Sequence, residues 1–133
     1  MIAGSQETGS FDFEAVMRGA LWGFLFMAGV AAAIALWAPK FPALQQYIYL
    51  HDDAIRWAVY ALAALLSGLV AGQRAGTMGL VHGSLAALGS FLILALVSGI
   101  FTGIPNIWDF GVRVVVNLIV GGLGGILGAN LAD

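Results

Sequence analysis

The stretch NLIVGGLGGILGAN, Asn117 to Asn130, holds five glycines in fourteen residues, with no proline and no charge. In water, a glycine inside a helix costs about 1 kcal/mol relative to alanine. In lipid the comparison changes. The backbone has no water to bond and closes its hydrogen bonds within the helix. Helices there associate by close van der Waals contact, which small residues four apart permit. Gly121/Gly125 and Gly124/Gly128 form two overlapping GxxxG pairs, and the series 117, 121, 124, 128 lays Asn117 and three glycines on one face. The stretch reads as the packing face of a membrane-spanning helix. GGLGG has the look of a nucleotide loop, but it lacks the Lys-Ser/Thr pair that such a loop requires.

The rest of the chain fits that medium. Of 133 residues, 61% are hydrophobic and only 9% charged, against roughly 25% charged in a typical soluble domain. No Asp, Glu, Lys or Arg falls within 19–39, 57–73, 75–108 or 114–132, and His82 is the one histidine there. A helix needs about 20 apolar residues to cross the hydrocarbon core, so four spans are expected, near 16–38, 54–73, 78–101 and 110–131. No run alternates apolar and polar as barrel strands do. The expected fold is all-α: one transmembrane domain over 1–133, an integral membrane four-helix bundle. Residues 1–10 are small and polar and read as a flexible N-terminus. The acidic Glu7, Asp12 and Glu14 before the first span argue against a cleaved signal peptide, whose first region is basic.

Proline ends span 1 at Pro39 and Pro42. The aromatic connection that follows carries Phe41, Tyr47 and Tyr49, and suits a short helix lying on the membrane surface. The turn GQRAGT between spans 2 and 3 is so short that these spans must be antiparallel neighbours. Every span offers small residues at helical spacing: Gly19 and Gly23; Gly68 and Gly72; Gly79 and Gly83; Gly121, Gly124, Gly125 and Gly128. The last seam can face its own bundle or a second copy, and four spans supply partners within the chain. Shifts of 60 and 57 residues align Gly19 with Gly79 and Asp52 with Asp109. Two tandem hairpins, related by a pseudo-twofold along the membrane normal, are one arrangement these matches allow.

Three spans open with an acid four residues before an arginine: Glu14/Arg18, Asp52/Arg56 and Asp109/Arg113. That spacing and order suit an ion pair on one helix face. The acid also meets the positive end of the helix dipole, and Asp52, Asp53 and Asp109 are natural caps. The simplest role for these pairs is interfacial anchoring. Arg74 is the only charge in the turn between spans 2 and 3, open to a lipid headgroup, a partner's acid or water. His82 is an ionisable group within a span, which flags function, although a neutral imidazole bonded to a carbonyl would serve as well. Asn117 suits an interhelical hydrogen bond and, as the lesser reading, a polar pathway. No catalytic set can be assembled. The absence of cysteine excludes thiol chemistry, and no metal or cofactor site is expected.

GLVAGQRAGTMGLVHG, 68–83, and GGLGGILGANL, 121–131, resemble the YrzE-like family of small four-span bacterial membrane proteins. The shared features are the turn Ala-Gly-x-Arg-Ala-x-x-x-Gly-x-x-His-Gly and the glycine-rich final span. Gln73 and Gly76 stand where the resemblance leads one to expect basic residues. It implies a multi-pass protein of the bacterial cytoplasmic membrane and carries no established activity. Both termini are expected to be cytoplasmic. The resemblance and the aromatic connection favour that placement, while Lys40, Arg56 and Arg113 on the far side count against it under the positive-inside rule. The expected function is that of a non-enzymatic scaffold, accessory subunit or homo-oligomer. The alternative is a small oligomeric channel or transporter using His82 and Asn117. The expected partners are the lipid bilayer and either a second copy or another membrane protein, with no nucleic acid.

Overall fold

Asp12 is extended, and its carboxylate accepts the Ala15 amide at 3.1 Å. That cap starts α1, Phe13–Trp37, three residues ahead of the expected boundary. In the computed structural model, which describes residues 10–103 and 106–132 and all their side chains but those of 101 and 102, a 3-10 turn (Ala38–Lys40) and four further helices follow. These are α2, Pro42–Leu50; α3, Asp52–Ala75; α4, Gly79–Thr102; and α5, Ile107–Asn130. The expected frayed residues 1–9 lie outside the described residues. Four helices, all but α2, are long and apolar enough to cross a membrane. The 24 residues of α3 rise about 36 Å, comfortably more than a hydrocarbon core of about 30 Å.

The capping aspartates are placed differently from expectation. Asp52 and Asp53 lie inside the first turn of α3, whose cap residue is His51. Asp109 lies inside the first turn of α5, where Asn106 caps by accepting the Trp108 amide at 2.9 Å. Acids one to three residues inside a helix still meet its positive end, so the charge pattern keeps its use while the cap falls to a neighbour. A short helix stands where one was expected: α2 has no buried residue and leaves Tyr47 and Tyr49 exposed.

The interior inverts the pattern of a soluble protein. Its buried apolar residues are mostly alanines, among them Ala15, Ala20, Ala63, Ala64, Ala71, Ala86 and Ala87. The largest fully buried side chains are His82, Ser67 and Ser90, whereas Leu25, Leu62, Leu96, Ile119 and Leu123 face outward. Large groups dissolve in lipid tails and small ones let backbones meet. α1 and α5 each pack on both α3 and α4, which also touch each other; α1 and α5 do not touch. The cross-section is a rhombus with α3 and α4 on its short diagonal. A twofold exchanging α1 with α4 and α3 with α5 would turn the α3–α4 contact into an α1–α5 contact. The tandem spacing therefore does not extend to a symmetric packing. Gly76, at φ 72°, closes α3 by donating to the Gly72 carbonyl at 2.8 Å, and the turn 76–78 sends α4 back alongside α3.

Candidate functional site

The two ends of the bundle differ, and the glycines explain why. Gly19 and Gly23 lie in the first half of α1, Gly79 and Gly83 in the first half of α4. Gly68 and Gly72 lie in the last half of α3, and Gly121 to Gly128 in the last half of α5. With alternating helix directions, all of these fall at one end. There α5 wedges between α3 and α4. A Cβ on Gly83 would stand 2.6 Å from Gly125 Cα, and one on Gly72 2.8 Å from the same atom. On Gly79 it would reach 2.7 Å from the Gly125 carbonyl carbon, and on Gly68 2.8 Å from that of Gly121. From α5, a Cβ on Gly121 would lie 2.6 Å from the Gly83 carbonyl oxygen, and one on Gly128 2.8 Å from the Gln73 nitrogen. Gly124 lies against the Leu65 carbonyl in the same way. Real Cβ atoms do not come this close to backbone, so only glycine fits. The final seam thus faces its own bundle. Gly122 differs: it lies against the side chains of Leu80 and Ser84 of α4 rather than against backbone. Its place beside Gly121 in the sequence marks it, although it falls outside the GxxxG stripe.

His82 closes this end. It is fully buried. Its Nε2 accepts the backbone amide of Asp12 at 2.9 Å, and its Nδ1 lies 3.0 Å from the Met78 carbonyl oxygen. An acceptor at Nε2 and a carbonyl at Nδ1 together require the neutral Nδ1–H tautomer. Phe11 stacks on the ring at 5.2 Å. The histidine therefore clamps the first turn of α1 onto α4. Above it, Glu14 receives Arg18 at 3.0 Å and Arg74 at 2.9 Å. The partner of Arg74 is thus an acid of the same chain, 60 residues away, a pairing that no local spacing could reveal.

The remaining buried polar groups are also bonded within the fold, with one exception. Asn117 is buried, and its Nδ2 donates to the Arg113 carbonyl at 2.8 Å, so it bonds its own helix rather than a neighbour. The interhelical bond comes from Ser84, whose hydroxyl donates to the Leu118 carbonyl at 2.8 Å. Ser90 donates to the Ala87 carbonyl at 3.0 Å. Ser67 Oγ is buried without a hydrogen-bond partner among the described residues.

At the opposite end the glycines, Gly29, Gly99, Gly103 and Gly111, have nothing within 4 Å of an added Cβ, and the helices part. A cavity of about 560 Å³ opens between α1, α3, α4 and α5 beside α2, within the range typical of ligand pockets, about 300–1,000 Å³. Met27 and Phe91, both buried, lie deepest, and Phe91 meets Phe110 of α5 at 5.4 Å. Ile34, Ile55 and Leu94 continue the apolar wall. Asp52, Arg56, Asn106, Asp109 and Arg113 line its mouth. Arg56 pairs with Asp52 at 2.9 Å. The expected Asp109/Arg113 pair does not form. The Arg113 guanidinium lies 5.2 Å from the Tyr60 ring of α3 instead, where an aromatic face attracts a cation, and Asp109 stays exposed. Neither His82 nor Asn117 lines the cavity.

These features define a four-span helical membrane protein with one end locked by backbone contact and one end open. The chain belongs to a family described as a protein of unknown function, DUF3792, whose model matches residues 12–128. That span runs from the Asp12 cap to the last glycine of the seam and includes the whole cavity mouth. No curated protein and no solved structure matches the chain.

Proposed function

We propose that the protein is a non-enzymatic accessory or scaffold protein of the bacterial cytoplasmic membrane, and that it works by holding a guest in its open end. We read its family as the YrzE-like proteins its motifs resemble, and both termini as cytoplasmic. One observation carries the proposal: a cavity of about 560 Å³ with an apolar floor and a charged mouth, set in a bundle whose other end is closed by glycine contacts. A rigid frame with one open end suits reversible holding, because the frame itself need not change on binding. A channel or carrier would need a polar route joining the two ends. His82 and Asn117, the residues such a route would use, are occupied by internal bonds, which leaves that reading less support.

The test is the purified full chain in liposomes, assayed for ion and solute flux, alongside crosslinking in native membranes with mass-spectrometric identification of neighbours. The expected result is no flux above empty liposomes, with a membrane protein or lipid adduct at the open end. Flux that falls in His82→Leu or Asn117→Leu would overturn the proposal in favour of a conducting role.

A further inference from the structure

We infer that the open cavity is a binding site for an anionic amphiphile, with its hydrocarbon tail among Met27, Ile34, Ile55, Phe91, Leu94 and Phe110 and its phosphate or carboxylate head on Arg113. This rests on the guest-holding role proposed above and names the guest's chemistry. Arg113 is the seventh residue of α5, about 9 Å along the helix from Ile107. An arginine at such depth ordinarily snorkels to the headgroups. This one is half-buried in the cavity wall, held over the ring of Tyr60, itself about 12 Å along α3 from Asp52. The only other cation at the mouth, Arg56, already has Asp52 at 2.9 Å. Asp109, the acid nearest Arg113 in sequence, does not pair with it. No acid among the described residues lies within ion-pair distance of Arg113. Its guanidinium therefore brings a full charge and a fork of donors to the edge of an apolar chamber, and a planar carboxylate or a phosphate matches that fork in two parallel bonds. A free inorganic anion would leave the chamber unfilled, and an uncharged lipid would leave the guanidinium unanswered. A chain with an anionic head meets both demands.

The test uses the full chain in mild detergent, examined by native mass spectrometry with four probes: oleic acid, dioleoyl phosphatidic acid, monoolein and inorganic phosphate. The expected result is a one-to-one adduct with both anionic lipids, weak adducts with monoolein and none with phosphate. Arg113→Gln should weaken the anionic adducts roughly tenfold, as loss of a charge-assisted contact does, and Arg113→Lys should restore part of the loss. Ala95→Phe, which fills the chamber from α4, should remove all adducts, whereas Arg74→Gln at the locked end should leave them unchanged. Thermal melting of each ligand-free variant separates lost binding from lost fold. If monoolein binds as well as oleic acid and Arg113→Gln changes neither, the anionic inference is wrong while a guest-holding cavity stands. If no lipid binds, or Ala95→Phe binds as wild type does, the guest-holding role itself falls. A phosphate adduct that competes with the lipids would replace the amphiphile by a free anion.

Discussion

Gly125→Ala adds one methyl at the point where α5 meets both α3 and α4. That methyl carbon would overlap the Gly79 carbonyl oxygen and stand 2.8 Å from Gly83 Cα. Carbon atoms rest at about 3.5–4.0 Å, so α4 must retreat by about 1 Å. The obstacles are backbone atoms of a helix, with no side chain to swing aside. Overpacking of this kind costs about 1–3 kcal/mol. Gly72 meets Gly125 from α3, which leaves α5 no slack on its other side, so the upper end applies. Against this stands the helix propensity gained by alanine, at most about 1 kcal/mol, giving a net loss of about 2 kcal/mol. Gly29→Ala is the matched control, because nothing lies within 4 Å of its new methyl. It should be neutral or stabilising by up to about 1 kcal/mol. The two variants should therefore differ by about 2–3 kcal/mol. The assay is reversible unfolding by sodium dodecyl sulfate in mixed micelles, followed by far-UV circular dichroism. Equal midpoints for the two variants would refute the reasoning, since the same chemical change would then be insensitive to what it touches.

Three further outcomes follow from the same geometry. His82→Leu leaves the Asp12 amide without its acceptor and should cost about 1–3 kcal/mol, with faster hydrogen exchange confined to the first turn of α1; His82→Gln, which can offer an oxygen there, should recover part of the protection. Ser84→Ala removes an interhelical bond worth about 0.6 kcal/mol, whereas Ser67→Ala removes an unpartnered buried hydroxyl and should be neutral or stabilising in the same titration. Because the chain has no cysteine, single substitutions Gln73→Cys, Ala132→Cys and Lys40→Cys map its topology cleanly; an impermeant maleimide should reach the first two from the cytoplasmic side and Lys40→Cys from the other, and the reverse pattern would invert the proposed orientation.

The locked end was more legible than the open one, for a physical reason. Glycine spacing within one helix states that a backbone can be approached there, so the packing faces of α3, α4 and α5 could be read from 68/72, 79/83 and 121–128. The pairing of Glu14 with Arg74 could not, because it joins helix ends brought together only by the bundle. Asn117 was read as an interhelical group, but an amide with its own i−4 carbonyl in reach bonds locally, and Ser84 supplied the cross-helix bond. The Asp109/Arg113 spacing promised an ion pair, yet a neighbouring helix offered Tyr60, and a guanidinium over an aromatic face in an apolar wall replaced it. The cavity had one signal in the sequence: GxxxG-spaced pairs 19/23, 68/72, 79/83, 121/125 and 124/128 all fall at one end of the bundle once helix directions alternate, with 99/103 the pair at the other.

Taken alone, the chain of residues settled the solvent, the number of spans and the seams of closest approach. Run length, charge and small-residue spacing are properties each helix has before it meets another. Tertiary structure alone decided which helices touch, that α1 and α5 stand apart, that His82 clamps the start of α1, and that Arg113 faces a chamber. Those outcomes depend on which atoms share a space, and that is set when four helices choose one packing out of several that the same seams allow.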